Sequence, residues 1–291
     1  MVYSASPIKR ATKADVEIRA KFLIDYALTH KPVTVRQLYY AATVHGLTGI
    51  DKTENGYRKV QSQVLKLRQQ GRMPYDAIAD NSRWMRKPQS YANLGEIYSE
   101  ITQSYRKALW VDSDYRVEVW VEKDALAGAI LPVTAEYDVP LMVTKGFCSE
   151  TFAWEAAQEH AKSDKHCLIL YLGDFDRSGL AAMTSLKSKL EAFAKQSEAK
   201  LDFFPIAVTL EQIDLWNLPT REPKRKSPAD KAWPYEFACE LDAIPPDTLR
   251  ELIRYYIDQV YPRGELERMK KIEAMEREHF RMAFSLKGTS E

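Results

Sequence analysis

HCLILYLGDFDRSG, residues 166–179, is the stretch on which the reading of the fold turns. From His166 to about Asp174 it is strongly apolar, too short for a helix and closed by glycine and aspartate, so it predicts a buried strand. A helix follows from Ser178 to Ser197. Upstream, RVEVWVE alternates as a strand from Arg116 to Glu122, a helix runs on through Tyr137, VPLMV is a short strand and SETFAWEAAQEHAK a helix. Downstream, LDFFPIAVT is another strand. Apolar strands alternating with helices predict an α/β fold with a parallel-rich sheet covered on both faces. Residues 219–234, rich in Pro, Lys and Arg, read as a loop; FACELDAI, a helix opened by Pro245-Pro246 and a charged amphipathic helix from about Gly264 close the chain.

Ligands of open α/β sheets bind beyond the carboxyl ends of the strands. Glu122 ends one strand, and Asp174 and Asp176 lie where another turns into a helix at Gly179. Three hard oxygen donors without His or Cys suit magnesium, which takes one or two carboxylates and completes its shell with water and phosphate. The competing reading is of surface acids in turns, since D-x-D is a common pattern. Lys123 and Lys145 fall near the same edge, where they would neutralise phosphate.

Residues 1–110 carry 18 Lys+Arg against 9 Asp+Glu, and the remainder 24 against 32, so halves of +9 and −8 hide behind a net charge of +1. A basic half suits a polyanion, although chance clustering of solvated charge gives the same sums. This half reads as helices: 13–29, with Val16, Ala20, Leu23 and Ile24 on one face; a second capped by Thr34 and stopped at Gly46; a third at roughly 54–70, with Val60, Val64, Leu65 and Arg68 at helical spacing. RMPYDAIAD then reads as a turn and a short extended arm, and 90–109 as a further helix before a boundary near Val111. Three helices and a β arm make a winged helix-turn-helix pattern. Arg58, Lys59, Lys66, Arg68 and Arg72 lie on or just after the third helix, where a recognition helix meets DNA; Arg83, Arg221, Lys224, Arg225 and Lys226 are further candidate contacts.

In VRQLYYAAT, Tyr40 lies four residues after Arg36 and Tyr39 three, so both are within reach of the guanidinium. A guanidinium beside a phenol favours the phenolate and can clamp a phosphate, as a tyrosine nucleophile needs. The ordinary alternative is that both tyrosines pack the helix core. Three cysteines without C-x-x-C spacing indicate neither zinc nor a disulfide framework, and with no signal-peptide or membrane-spanning run they point to a cytoplasmic protein.

Taken in order, these segments resemble the A subunit of topoisomerase VI and its relative, the meiotic double-strand-break protein, over roughly residues 30–260. VRQLYY is similar to the family's R-x-x-Y-Y, VEVWVEKDAL to its V-E-K signature, VTKGFCSETF to a glycine-bearing segment through Gly146, YLGDFDRSG to D-x-D-x-x-G, and FACELDAIPP to an E-L-D-A-L-P-P-like run. The resemblance implies a winged-helix domain (1–110) joined to a metal-binding Toprim domain (111–291). It implies Tyr40 as nucleophile with Arg36 assisting, and magnesium on Glu122, Asp174 and Asp176. The implied activity is DNA cleavage through a 5′-phosphotyrosyl link, by a homodimer acting on double-stranded DNA. No Gly-rich ATP-binding motif is present, so strand passage would need a separate ATPase subunit; the size suggests the compact, stand-alone relatives of mobile elements. The rival expectations are a Toprim nuclease that attacks with water and a non-catalytic DNA-binding protein.

Overall fold

A computed structural model describes residues 12–79, 89–225 and 228–287, with the backbone alone at 228–229 and 285–287. Arg83 and Lys226, two of the expected DNA contacts, lie outside the described residues. Three helices open the chain: α1 (Lys13–His30), α2 (Val35–Val44) and α3 (Glu54–Gln69). Each begins at a threonine, Thr12, Thr34 or Thr53, whose hydroxyl accepts an amide of the first turn. Such caps contribute about 1 kcal/mol each. On α1 the buried stripe is Ala20, Leu23 and Ala27, while Val16, expected on it, is exposed. That first turn is met instead by Gln63, whose Nε2 donates to the Val16 carbonyl at 2.7 Å. On α3 the stripe is Val60, Val64 and Leu67; Leu65 falls one position off it and faces solvent.

The expected β arm is smaller than a wing. Residues Tyr75–Ala77 make one 3-10 turn, and Ile78 forms a single parallel bridge with Val33. Among the described residues no second strand of a wing accompanies it. The next helix, α4 (Leu94–Ser104), is shorter than the 90–109 expected and packs on the last helix, α11 (Arg263–Lys287), through Tyr98 stacked on Phe284 at 4.4 Å.

Between them lies the predicted alternation: β1 (Tyr115–Val121), α5 (Asp124–Glu136), β2 (Leu141–Val143), α6 (Glu150–Ala161), β3 (His166–Leu172), α7 (Arg177–Ser197) and β4 (Leu201–Ala207), then α8 (Leu210–Leu215), α9 (Pro228–Lys231) and α10 (Pro246–Asp258). The four strands form one all-parallel sheet in the order β2-β1-β3-β4. Alternate residues serve opposite faces. Trp120, Ile169 and Tyr171 pack under α6 and α7 with Leu186 and Leu190; Val119, Val121, Leu170 and Leu172 join the larger apolar cluster with Ile130, Ile253 and Leu241. That larger cluster continues into α1–α3 through Leu38 and Val64. Buried Arg250 on α10 adds polar ties, donating to the carbonyls of His30 (2.9 Å) and Ala129 (3.0 Å). Among the described residues no helix is long and apolar enough to cross a membrane.

One polar group interrupts the apolar layer beneath α6. Glu118 on β1 accepts from His160 of α6 (3.1 Å), Arg116 (2.9 Å) and the Trp120 indole (2.9 Å), and Cys167 Sγ lies 3.5 Å from the same His160 nitrogen. Burial alone would lift the Glu118 carboxyl, but His160, Trp120 and Arg116 hold it below the ordinary glutamate range. A depressed carboxyl stabilises the fold above its unfolded pKa and loses that contribution as pH falls through the lower folded value. Glu118→Gln is therefore expected to cost roughly 1–3 kcal/mol at neutral pH. It should also flatten the decline in urea-unfolding stability below about pH 4.5. An acid limb identical in both proteins would show that this carboxylate contributes nothing.

Candidate functional site

The parallel register brings the two sequence-predicted carboxylate positions to one edge. Val121 pairs with Leu172, so both strands end level, and Glu122 leaves β1 as Gly173 and Asp174 leave β3. The strand order reverses here: β1 is followed by a neighbour on one side and then by β3 on the other, which is the crevice where open α/β sheets bind ligands. Glu122 Oε2 accepts the Asp174 amide at 3.1 Å. Asp176 caps α7, its Oδ1 accepting the Gly179 amide at 2.8 Å. Glycine is required at 179, since a side-chain carbon there would stand 2.3 Å from the Asp174 carbonyl oxygen. The D-x-D-x-x-G spacing is thus a tight strand-to-helix turn that fixes both aspartates.

A second acidic run closes over this edge. Phe175 and Cys239 exchange backbone hydrogen bonds (2.8 and 3.0 Å), as do Arg221 and Ala238 (both 2.9 Å). These bridges set Glu240, Leu241 and Asp242 against the turn after β3, and the Leu241 amide donates to Asp174 Oδ1 at 2.8 Å. Lys123 Nζ reaches Asp174 (3.0 Å), Glu240 (3.3 Å) and Asp242 (2.9 Å). Arg221 reaches Asp176 (2.7 Å) and Glu240 (3.1 Å). Arg36 of α2 makes a third contact with Glu240 at 3.3 Å. Five carboxylates and three cations leave a formal balance of −2 at the edge, that of a site suited to one divalent cation.

Burial, then the neighbouring Asp174, raises the Glu122 carboxyl; burial also raises Asp174, against the pull of Lys123. For Glu240 the balance is reversed: burial is outweighed by Lys123, Arg36 and Arg221, which hold it below the ordinary range. From the sequence alone Glu240 and Asp242 carry no role, and Arg221 reads as a residue of a DNA-facing loop. The signal was there in the acidic i, i+2 spacing inside an apolar run, the same spacing that singled out Asp174 and Asp176.

Helix α2 carries the tyrosines to this network. Thr34, its cap, also donates to Asp242 at 3.0 Å, so the start of α2 is pinned to the acidic run. The two tyrosines separate clearly. Tyr39 donates to the carbonyls of Asp51 (3.2 Å) and Thr53 (3.4 Å) and meets Tyr57 edge-on. No hydrogen bond is recorded for the Tyr40 hydroxyl among the described residues, and its charged neighbours are Glu240, Arg36, Lys123 and Asp242. Arg36 pulls toward a Tyr40 phenolate, as expected, but is outweighed. Tyr40 is 6% exposed. Burial and Glu240 drive its phenol well above the ordinary range despite Arg36 and Lys123. Arg36 is shared between Glu240 and the face of Tyr57, 4.1 Å away.

The expected DNA contacts fare unevenly. Lys123 joins the carboxylates, and Lys145 pairs with Asp124 at 3.2 Å beside them. Arg58 is exposed on α3 beside Glu54, Lys66 is exposed, and Lys59 donates to the Gly49 carbonyl at 2.9 Å. Arg68 lies over the Tyr75 ring and Arg72 pairs with Glu17. Lys224 is exposed, whereas Arg225 folds back on its own loop, donating to the Trp233 carbonyl at 3.2 Å.

As magnesium ligands, Glu122, Asp174 and Asp176 share an edge but not one point: each already has its own N–H or cationic partner. Among the described residues, the donors that lie mutually within 4.8 Å belong to Glu118, His160 and Cys167. There the glutamate is already neutralised by Arg116, and the trio ties α6 to the sheet. At the edge, the all-oxygen donor set and the excess negative charge fit a hard cation held by one or two carboxylates. Fold and site define a mixed α/β chain with an acidic, cation-laced edge at its strand switch point. No protein-family model matches the chain, and no curated protein is significantly similar to it.

Proposed function

We propose that this chain is a magnesium-dependent DNA-cleaving protein of the type IIB topoisomerase A-subunit class, with α1–α3 as a winged-helix-like DNA-binding part and the sheet as a Toprim part. The observation that carries the reading is that α2 delivers Arg36 and Tyr40 to the network that also holds Lys123, Asp174 and Asp176. In this reading the Tyr40 oxygen attacks a backbone phosphorus. The phenolic proton passes to solvent as a tyrosyl O–P bond forms, the bond to the 3′ oxygen breaks, and that oxygen leaves with a proton from the edge. Arg36, Lys123 and Arg221 turn from Glu240 toward the arriving phosphate. Glu122, its carboxyl raised by burial and Asp174, is suited to hand over the proton. Asp174 would hold the magnesium, with Asp176 available once Arg221 is drawn away and Glu122 joining as a carboxylate once it has given up its proton. Bound there, the ion would neutralise phosphate charge in the transition state. Cutting both strands calls for a homodimer, and strand passage for a separate ATP-hydrolysing subunit.

A second reading draws on the burial of Tyr40 and its raised phenol: a nuclease that uses the same carboxylates but attacks with water. Both readings expect supercoiled plasmid to be nicked or linearised with magnesium and spared with chelator. A plasmid left intact at every protein and magnesium concentration would contradict cleavage by this chain alone.

A further inference from the structure

Beside Tyr40, on the side of α2 that faces α1, lies an open cavity of about 330 Å³ whose walls are largely apolar. Phe22 and Tyr26 of α1, Tyr40 and His45 of α2, and Ala243, next to Asp242, contribute to its lining. Phe22 stacks on His45 at 4.5 Å and on Tyr26 at 5.9 Å, a short aromatic column in the cavity wall. Gln37 also lines it and is 2% exposed. Its amide orientation is fixed by chemistry: the Thr34 backbone N–H donates to Oε1 at 2.9 Å, so the other atom is the NH₂. That Nε2 is buried with no hydrogen-bond partner. Gln37 lines the cavity, so a small shift of its amide lets an acceptor placed there, from water or a ligand, meet this donor.

On these grounds we infer that the cavity receives an unpaired nucleobase of the DNA, next to the phosphate handled by Tyr40. The inference rests on the reading of the chain as a DNA-cleaving protein and deepens it. A nucleobase has what the cavity selects: a flat π face for the aromatic wall and ring nitrogens or carbonyls at its edge for the Gln37 amide. A nucleotide whose phosphate lies at Tyr40 carries its base within one residue's length of the opening. Unstacking that base is costly in a duplex, and aromatic contact within the cavity offsets the cost.

The test uses the full chain and short fluorescent duplexes, with binding read by anisotropy in calcium to withhold cleavage. An abasic site is walked along one strand so that the opposing base is unpaired; a matched set lacks that opposing base as well. At one or two adjacent positions, presence of the base is expected to tighten binding about 5- to 100-fold. Ala41→Phe, which fills the cavity, should erase that difference. Val44→Trp at the same wall, where the native side chain is 68% exposed, provides a second variant should the first fail to fold. DNA binding with no base-dependent position, or with a dependence that survives both variants, would overturn the pocket while leaving the DNA reading intact. No binding to any duplex would overturn both.

Discussion

Asparagine at position 174 is expected to lower magnesium-dependent DNA cleavage about 10²- to 10³-fold while DNA affinity stays within a few-fold. The side chains are nearly isosteric, and the amide oxygen can still accept from the Leu241 amide, now 2.8 Å away. What disappears is the charge that faces Lys123 at 3.0 Å and supplies the hard-cation donor beside Glu122. Because burial already raises the Asp174 carboxyl, neutralising it also relieves a desolvation cost, so the fold should persist. Removing one negative charge from a polyanion-binding edge does not weaken DNA binding. Initial nicking rates at saturating DNA and magnesium, with affinity measured in parallel, separate the effects. Equal losses in rate and affinity would mean that Asp174 is only structural.

Glu240→Gln is expected to be the most destabilising substitution at the edge. One carboxylate meets Arg36 (3.3 Å), Lys123 (3.3 Å) and Arg221 (3.1 Å), with its side chain 12% exposed. Breaking a buried ion pair by removing one partner costs roughly 3–5 kcal/mol, because the other charge is left uncompensated. Here Lys123 retains Asp174 and Asp242, and Arg221 retains Asp176, so the loss should be nearer 2–3 kcal/mol. In urea this moves the midpoint down by about 1 M at constant slope. Arg36, which among the described residues has no other carboxylate within 4 Å, is affected most, and α2 should loosen with it. A loss below about 0.5 kcal/mol, the level of an exposed pair, would show that the three contacts are solvent-screened and hold nothing together.

The sheet was legible because its signals are local. An apolar run ending in Gly-Asp, as at 166–174, states both strand and terminus, and two such runs with helices between leave a parallel sheet as the economical arrangement. The edge carboxylates followed, since the level ends of β1 and β3 place Glu122 and Asp174 together. Other features depended on long-range pairing that no local pattern encodes. Glu240 and Asp242 reach the site through the Phe175–Cys239 bridge, across more than sixty residues of chain. Val16 and Leu65 obey helical spacing yet face solvent, because the stripe that packs is shifted by the partner helix. Tyr39 and Tyr40 are indistinguishable in VRQLYY; only the carbonyls of Asp51 and Thr53, which bind one of them, separate the pair. The Arg36 effect on Tyr40 was right in sign and too small, since burial and Glu240 oppose it.

Covalent trapping tests the central claim most directly. The chain and its Tyr40→Phe variant are incubated with supercoiled plasmid and magnesium, stopped with denaturant, and the DNA ends examined for attached protein. The proposed transesterification predicts protein on the 5′ ends with the parent chain and neither adduct nor cutting with the variant. Free ends produced equally by both would contradict it and assign the carboxylates to a nuclease that attacks with water.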